Sequence, residues 1–112
     1  MNAGNLDTTV SLQQPSEVVG GLGDRHEAES FTELATRRAE VKHLRGSELE
    51  KAQALNQEIQ TKITVRYDSK TSLIKSDCRI VFGEDSFDVM YALPIPGGAR
   101  SERIEFYCRK NG

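Results

Sequence analysis

The sequence predicts an all-β fold, mainly antiparallel: a small β-barrel of about six strands with one short α-helix and a long N-terminal loop. Three observations predict it. Apolar residues recur at every second position in a series of short runs, the period of a strand with one buried face. Only one stretch, opening at Gly46-Ser47-Glu48, carries a clear helix start. A chain of 112 residues that is 37% hydrophobic and 29% charged suits one domain over residues 1–112, with a single core. A small barrel or a sandwich is the economical solution, and closure matters because an open sheet of such strands would leave unpaired edges that invite aggregation.

The elements follow in chain order. In NLDTTVSLQ, residues 5–13, Leu6, Thr8, Val10 and Leu12 share one face, and Pro15 ends the strand. PSEVVGGLGDRHEAES, residues 15–30, has three glycines, a proline and no period, which predicts a long flexible loop. FTELATRRAEVKHLR, residues 31–45, holds good helix formers, but Phe31, Ala35, Ala39 and Val41 share a parity. A strand over roughly 35–44 is expected, because the next segment has its own helix start. There Ser47 with Glu50 three residues on predicts a capping box. SELEKAQALNQ, residues 47–57, then runs as a helix with Leu49, Ala52 and Leu55 inward, plugging one barrel end.

TKITVRYDS, residues 61–69, is the cleanest strand, with Ile63, Val65 and Tyr67 on one face and Lys62, Thr64 and Arg66 on the other. Asp68-Ser69-Lys70 reads as a turn. RIVFGEDSFDVMYAL, residues 79–93, reads as a hairpin turning at Gly83-Glu84-Asp85-Ser86, with Ile80, Phe82, Phe87, Val89 and Tyr91 apolar at alternate positions. Pro94, Pro96, Gly97 and Gly98 predict a second loop. The last strand, RIEFYCRK at 103–110, puts Ile104, Phe106 and Cys108 on its buried face.

Few residues offer chemistry. The 15 basic and 17 acidic residues give a net charge of −2, which leaves no sequence-wide footprint for nucleic acid. No apolar run approaches the roughly 20 residues that cross a bilayer, and the start lacks the basic and apolar regions of a secretory signal. Cys78 and Cys108 sit inside alternating runs and read as buried free thiols of a reducing compartment. His26 and His43 stand in no metal-ligand spacing, and no CxxC, HExxH, GxSxG or phosphate-cradling loop is present. Gly20-Gly21-Leu22-Gly23 neither follows a strand nor opens a helix. Acidic pairs such as Glu27/Glu29 and Glu48/Glu50 lack surroundings that would raise one pKa. Arg37-Arg38 with Lys42 and Arg45 forms a modest basic cluster, readable as a solvated strand face or as a phosphate or partner contact. The residues describe a structural or interaction module with no enzyme activity, no cofactor and no metal.

Taken in order, the segments resemble the head–tail joining family of tailed bacteriophages, the head-closure or stopper proteins of the neck. The resemblance runs through AGNLDTTVSLQQP, a glycine-containing loop leading to Phe31, RRAEVKHLRGSELEKAQALNQ, TKITVRYDS, DCRIVFGEDSFDV and RIEFYCRK. No single piece is specific; their order and spacing over nearly the whole chain carry the likeness. At the opening strand this chain has Asp7 where members often carry basic residues, which argues against that strand touching DNA.

The resemblance implies a virion neck protein assembled in the host cytoplasm. Its copies would form a ring, typically of twelve or else of six, beneath the portal and its adaptor ring. That ring would retain packaged double-stranded DNA without reading its sequence, and it would offer the docking surface for the tail. The region from Arg45 to Asn56, with Arg45, Glu48, Lys51 and Asn56, is the expected inter-subunit or gating contact. The loop carrying Glu17, Leu22, Asp24 and His26 is the expected contact with neighbouring neck rings. Its acidic residues, Glu17, Asp24, Glu27 and Glu29, suit a lumen that repels DNA. Two other readings stand beside this one. A tail-terminator or tail-completion ring would bind free tails. An oligonucleotide-binding barrel would need exposed aromatics, for which only Tyr67 and Tyr107 qualify.

Overall fold

The computed structural model describes residues 8–16, 30–96 and 102–111. Six strands, β1 (Thr8–Pro15), β2 (Phe31–His43), β3 (Thr61–Arg66), β4 (Arg79–Phe82), β5 (Asp85–Ile95) and β6 (Arg103–Asn111), close into a barrel in the order β1-β2-β3-β6-β5-β4. Every neighbouring pair is antiparallel. One helix, α1 (Gly46–Leu55), joins β2 to β3, and a 3-10 turn (Thr71–Leu73) lies between β3 and β4. The expected all-β barrel with one short helix is the fold observed.

The alternation expected in the sequence builds the interior. Val10, Leu12, Ala39, Ile63, Val65, Ile80, Phe87, Val89, Ile104, Phe106 and Cys108 are buried in one cluster. Phe82 stacks on Phe87 with ring centroids 5.3 Å apart. Both cysteines are buried and free, as expected.

Two bulges change which residues face inward. The β1–β2 register shifts between Leu12 and Gln13, so that Leu12 pairs with Ala35 but Gln13 with Glu33. The extra residue, Leu34, packs against the core, and Phe31 leaves the face it was expected to share with Ala39. The second shift falls between Val89 and Tyr91 in β5. It turns Tyr91 out to 40% exposure, where unbroken alternation would have buried it. Tyr67 also differs from expectation: it lies past the end of β3 and is exposed.

Three boundaries move as well. β2 begins at Phe31 rather than near residue 35. The hairpin turn is tighter than the four residues expected, since Phe82 pairs with Asp85 and leaves Gly83-Glu84 as the loop, with Gly83 at φ +61°. Pro94 is not in a loop but extends β5 and pairs with Ile104. A proline is tolerated there because its missing N–H faces away from β6.

The helix differs most. α1 has Arg45 at its N-cap with no side-chain capping bond, so the Ser47–Glu50 capping box does not form. Gly46, at φ +62°, turns the chain into the helix. This places Ser47 inside the first turn, where its hydroxyl cannot cap. Leu55 is 55% exposed rather than inward. Nor does α1 plug the barrel. Leu44, Ala52 and Ile59 form a separate cluster with Leu49, Met90 and Tyr107. Tyr107 lies between the inward Phe106 and Cys108 and therefore faces out, so α1 lies on the outer wall. The segment that enters the core follows the 3-10 turn: Ile74 and Cys78 belong to the barrel cluster.

Candidate interaction surface

The outer wall where α1 meets β2, β3 and β6 carries a network of polar contacts. Lys42 of β2 and Lys62 of β3 are directly opposite in register. Like charges so placed repel. Glu48 of α1 lies between them, 2.9 Å from Lys42 and 3.8 Å from Lys62. Lys62 also reaches Glu105 at 3.5 Å, and the Tyr107 hydroxyl donates to Glu105 at 2.8 Å. The hydrogen bond to Lys42 holds the Glu48 carboxyl below the usual carboxylate range. The same bond raises the Lys42 ammonium. Burial, and then the hydrogen bond to Glu105, push the Tyr107 phenol up, so it stays protonated. Beside this row lies a depression of about 300 Å³ whose lining includes Glu40, Thr64, Ile95 and Arg103.

A second polar cluster lies on β5 and β6. Asp88 accepts from Arg109 and Asn111, and Arg109 also pairs with Glu58 in the connection after α1. The hydrogen bonds to Asp88 and then Glu58 raise the Arg109 guanidinium. The two clusters fasten the helical connection to the barrel at both ends.

Of the four residues expected on the α1 side, two have work within the subunit. Glu48 bridges the lysines. Asn56 is the C-cap of α1 and accepts the Glu58 backbone N–H at 2.8 Å. Arg45 and Lys51 are exposed and make no ion pair among the described residues. Glu17, Leu22, Asp24 and His26 lie outside the described residues. Sequence reasoning did not single out Lys42, Lys62, Glu105 and Tyr107 as one constellation. Their outward parity was legible, but the cross-strand register that aligns them was not.

Beyond Gln13, β1 pairs with β2 alone, Gln14 with Thr32 and Pro15 with Phe31, and the two strand ends form a short two-stranded arm. The Ser16 N–H donates to Ser30 at 3.0 Å, and the Ser16 and Thr32 hydroxyls meet at 2.8 Å. These contacts hold Ser16 and Ser30 side by side. On the outer face of the arm the Arg79 guanidinium sits 3.9 Å over the Phe31 ring.

The described residues offer little reactive chemistry. No group of three or more His, Cys, Asp or Glu among them could hold a metal ion. His43 contacts Thr61 through Nδ1 at 3.4 Å rather than a thiol. Burial pushes both the Cys78 and Cys108 thiols up, away from the reactive thiolate. No helix among the described residues is long and apolar enough to cross a membrane.

Two comparisons bear on the chain as a whole. No curated protein matches it. The family profile described as phage head completion protein matches residues 1–111.

Proposed function

The chain belongs to the phage head completion protein family, and from that premise we propose that it is a head-closure, or stopper, subunit of the neck. The family is one of virion structure and assembly, and its members work against other phage head and tail proteins. The finer reading is that copies of this barrel form a ring of twelve or of six beneath the portal-bound adaptor. The ring retains packaged double-stranded DNA and presents the surface on which the tail docks.

The observation that carries this reading is the family match over residues 1–111, nearly the full chain. The fold supports it in two ways. A closed barrel is a rigid block suited to repetition around a ring, because most strand edges are already paired. The paired ends of β1 and β2 bring Ser16 beside Ser30, and the segment they flank, with Glu17, Leu22, Asp24 and His26, is the part we assign to contact with a neighbouring ring. On the opposite flank, Arg45 and Lys51 supply charges for the inter-subunit contact. Glu48 and Asp88 hold the α1 connection in the shape that presents them. Weak contacts repeated around a ring sum to a stable assembly.

The test is addition of the purified protein to DNA-filled, tailless heads lacking it, scored by electron microscopy, DNA release and infectivity after tails are added. Binding at the portal vertex with DNA retained is the expected result. Rings on the ends of free tails, with no binding to heads, would replace the stopper with a tail-completion protein.

A further inference from the structure

We propose that the barrel is latched along one seam, between β1 and β4, and that it opens there while the rest of the sheet stays paired. This inference is independent of the neck reading.

The seam is the shortest junction in the wall. β1 meets β4 at Ser11 with Val81, Leu12 with Ile80 and Gln13 with Arg79. Every other junction aligns four residues or more. Both strands hold the seam to that length. β4 stops at the Gly83 turn, where Phe82 pairs with Asp85. Pro15 ends β1, and its nitrogen has no hydrogen to donate. Along an antiparallel ladder, bonded and non-bonded positions alternate. The Ser16 N–H donates to Ser30, so the backbone groups of Pro15, Gln13 and Ser11 turn the other way, toward β4. The seam therefore carries two bonded pairs, Ser11 with Val81 and Gln13 with Arg79.

Side chains add little hydrogen bonding across it. Gln13 Nε2 donates to Ser11 Oγ at 3.0 Å, and Ser11 Oγ donates to Glu33 of β2 at 2.7 Å. Both β1 side chains are thus committed away from β4. On the other side of the seam, Arg79 Nε is buried without an acceptor. Ser86, opposite Val81, likewise has a buried Oγ without a partner. A buried polar group left unpaired costs free energy, which water restores when the site opens.

What closes the seam is apolar packing and one clasp. Leu12 and Ile80 stand opposite each other, both fully buried. The Arg79 guanidinium of β4 lies 3.9 Å over the ring of Phe31, which belongs to β2, so this contact reaches across the seam and over β1. When the clasp parts, β1 stays with β2, to which it is paired along its whole length. β4 stays with β5 through their hairpin. The barrel becomes an open sheet and presents two strand edges that the closed form hides.

Native-state hydrogen exchange on the full chain, at low denaturant concentrations, tests this. The Ser11, Gln13, Arg79 and Val81 amides should exchange at least about tenfold faster than those of Ile63 and Phe106 in the β3–β6 junction, through an opening that denaturant hardly promotes. Phe31→Ala removes the clasp and should speed exchange at the seam about threefold, with Ile63 and Phe106 unchanged. Ser11→Cys with Val81→Cys, joined by a short bis-maleimide, should bring the Gln13 and Arg79 amides to the protection of Ile63. Seam amides that exchange only together with those of β3 and β6 would overturn the proposal. So would a seam indifferent to both the clasp and the cross-link. Success or failure on heads leaves these results untouched, so the two readings fail separately.

Discussion

At the level of single residues, the clearest strain lies at Asp77, a non-glycine residue at φ +88°. The Cys78 N–H donates to Lys75 at 3.0 Å, which makes Lys75–Cys78 a turn with Asp77 at the position that favours glycine. Asp77→Gly should therefore stabilise the fold by about 0.5–1 kcal/mol and raise Tm by roughly 2–6 °C. A thermal melt showing no rise, or a fall, would show that the aspartate compensates for its conformation. Asp68 makes the second residue-scale prediction. Burial pushes its carboxyl up, but hydrogen bonds from Arg37 and from the Thr71 and Lys70 amides outweigh this and hold it below the usual range. A depressed folded pKa contributes stability above the unfolded value, and that contribution is lost as pH falls through the folded one. Asp68→Asn should be less stable than the parent at pH 7, and the gap should close as pH falls below the ordinary carboxylate range and the parent carboxylate is protonated. Denaturant melts at a series of pH values read this directly. A gap constant with pH would mean that the Arg37 pair adds nothing.

Among the elements, the barrel strands and the α1 connection differ in what holds them. Ile74 is 1% exposed and enters the barrel core from the β3–β4 connection. Leu49 of α1 is only partly buried, against the small outer cluster. Ile74→Ala should cost about 2–4 kcal/mol and Leu49→Ala about 1.5 kcal/mol or less, measured by equilibrium unfolding. Equal costs would return α1 to the role of plug. The same contrast marks what was legible. Strict alternation identified β6 almost residue for residue and β3 up to Arg66, because neither contains a bulge. It misassigned Phe31 and Tyr91, because a bulge inverts parity and no local sequence signal announces one. Ser47 and Glu50 had the right spacing for a cap. Gly46 moved the helix start, and a positive φ at one glycine is settled by where the chain must go next. The Lys42–Glu48–Lys62–Glu105 row was hidden for a related reason: it joins four elements, and only their register brings the side chains together.

For the whole molecule, the prediction is that segment 17–29 can be shortened without loss of the barrel. The arm already sets Ser16 beside Ser30 and Thr32, so described residues on both sides of the segment hold the register of β1 and β2. Deleting residues 18–26 leaves a short connection between strands whose register the arm holds. The shorter closure is entropically easier, by roughly 0.8 kcal/mol for a loop cut from about fifteen residues to about six. The deleted protein should fold with an unchanged or slightly raised Tm and the same far-ultraviolet spectrum. The neck reading gives the segment its use outside the subunit, in contact with a neighbouring ring. Heads supplied with the deleted protein should therefore remain tailless or leak DNA although the barrel is intact. A large loss of Tm would mean that the segment packs on the barrel and that assembly defects follow from misfolding. Filled, tailed, infectious particles made with the deleted protein would remove segment 17–29 from neck assembly. The exposed flank of α1, with Arg45 and Lys51, would then be the surface through which the barrel meets its neighbours.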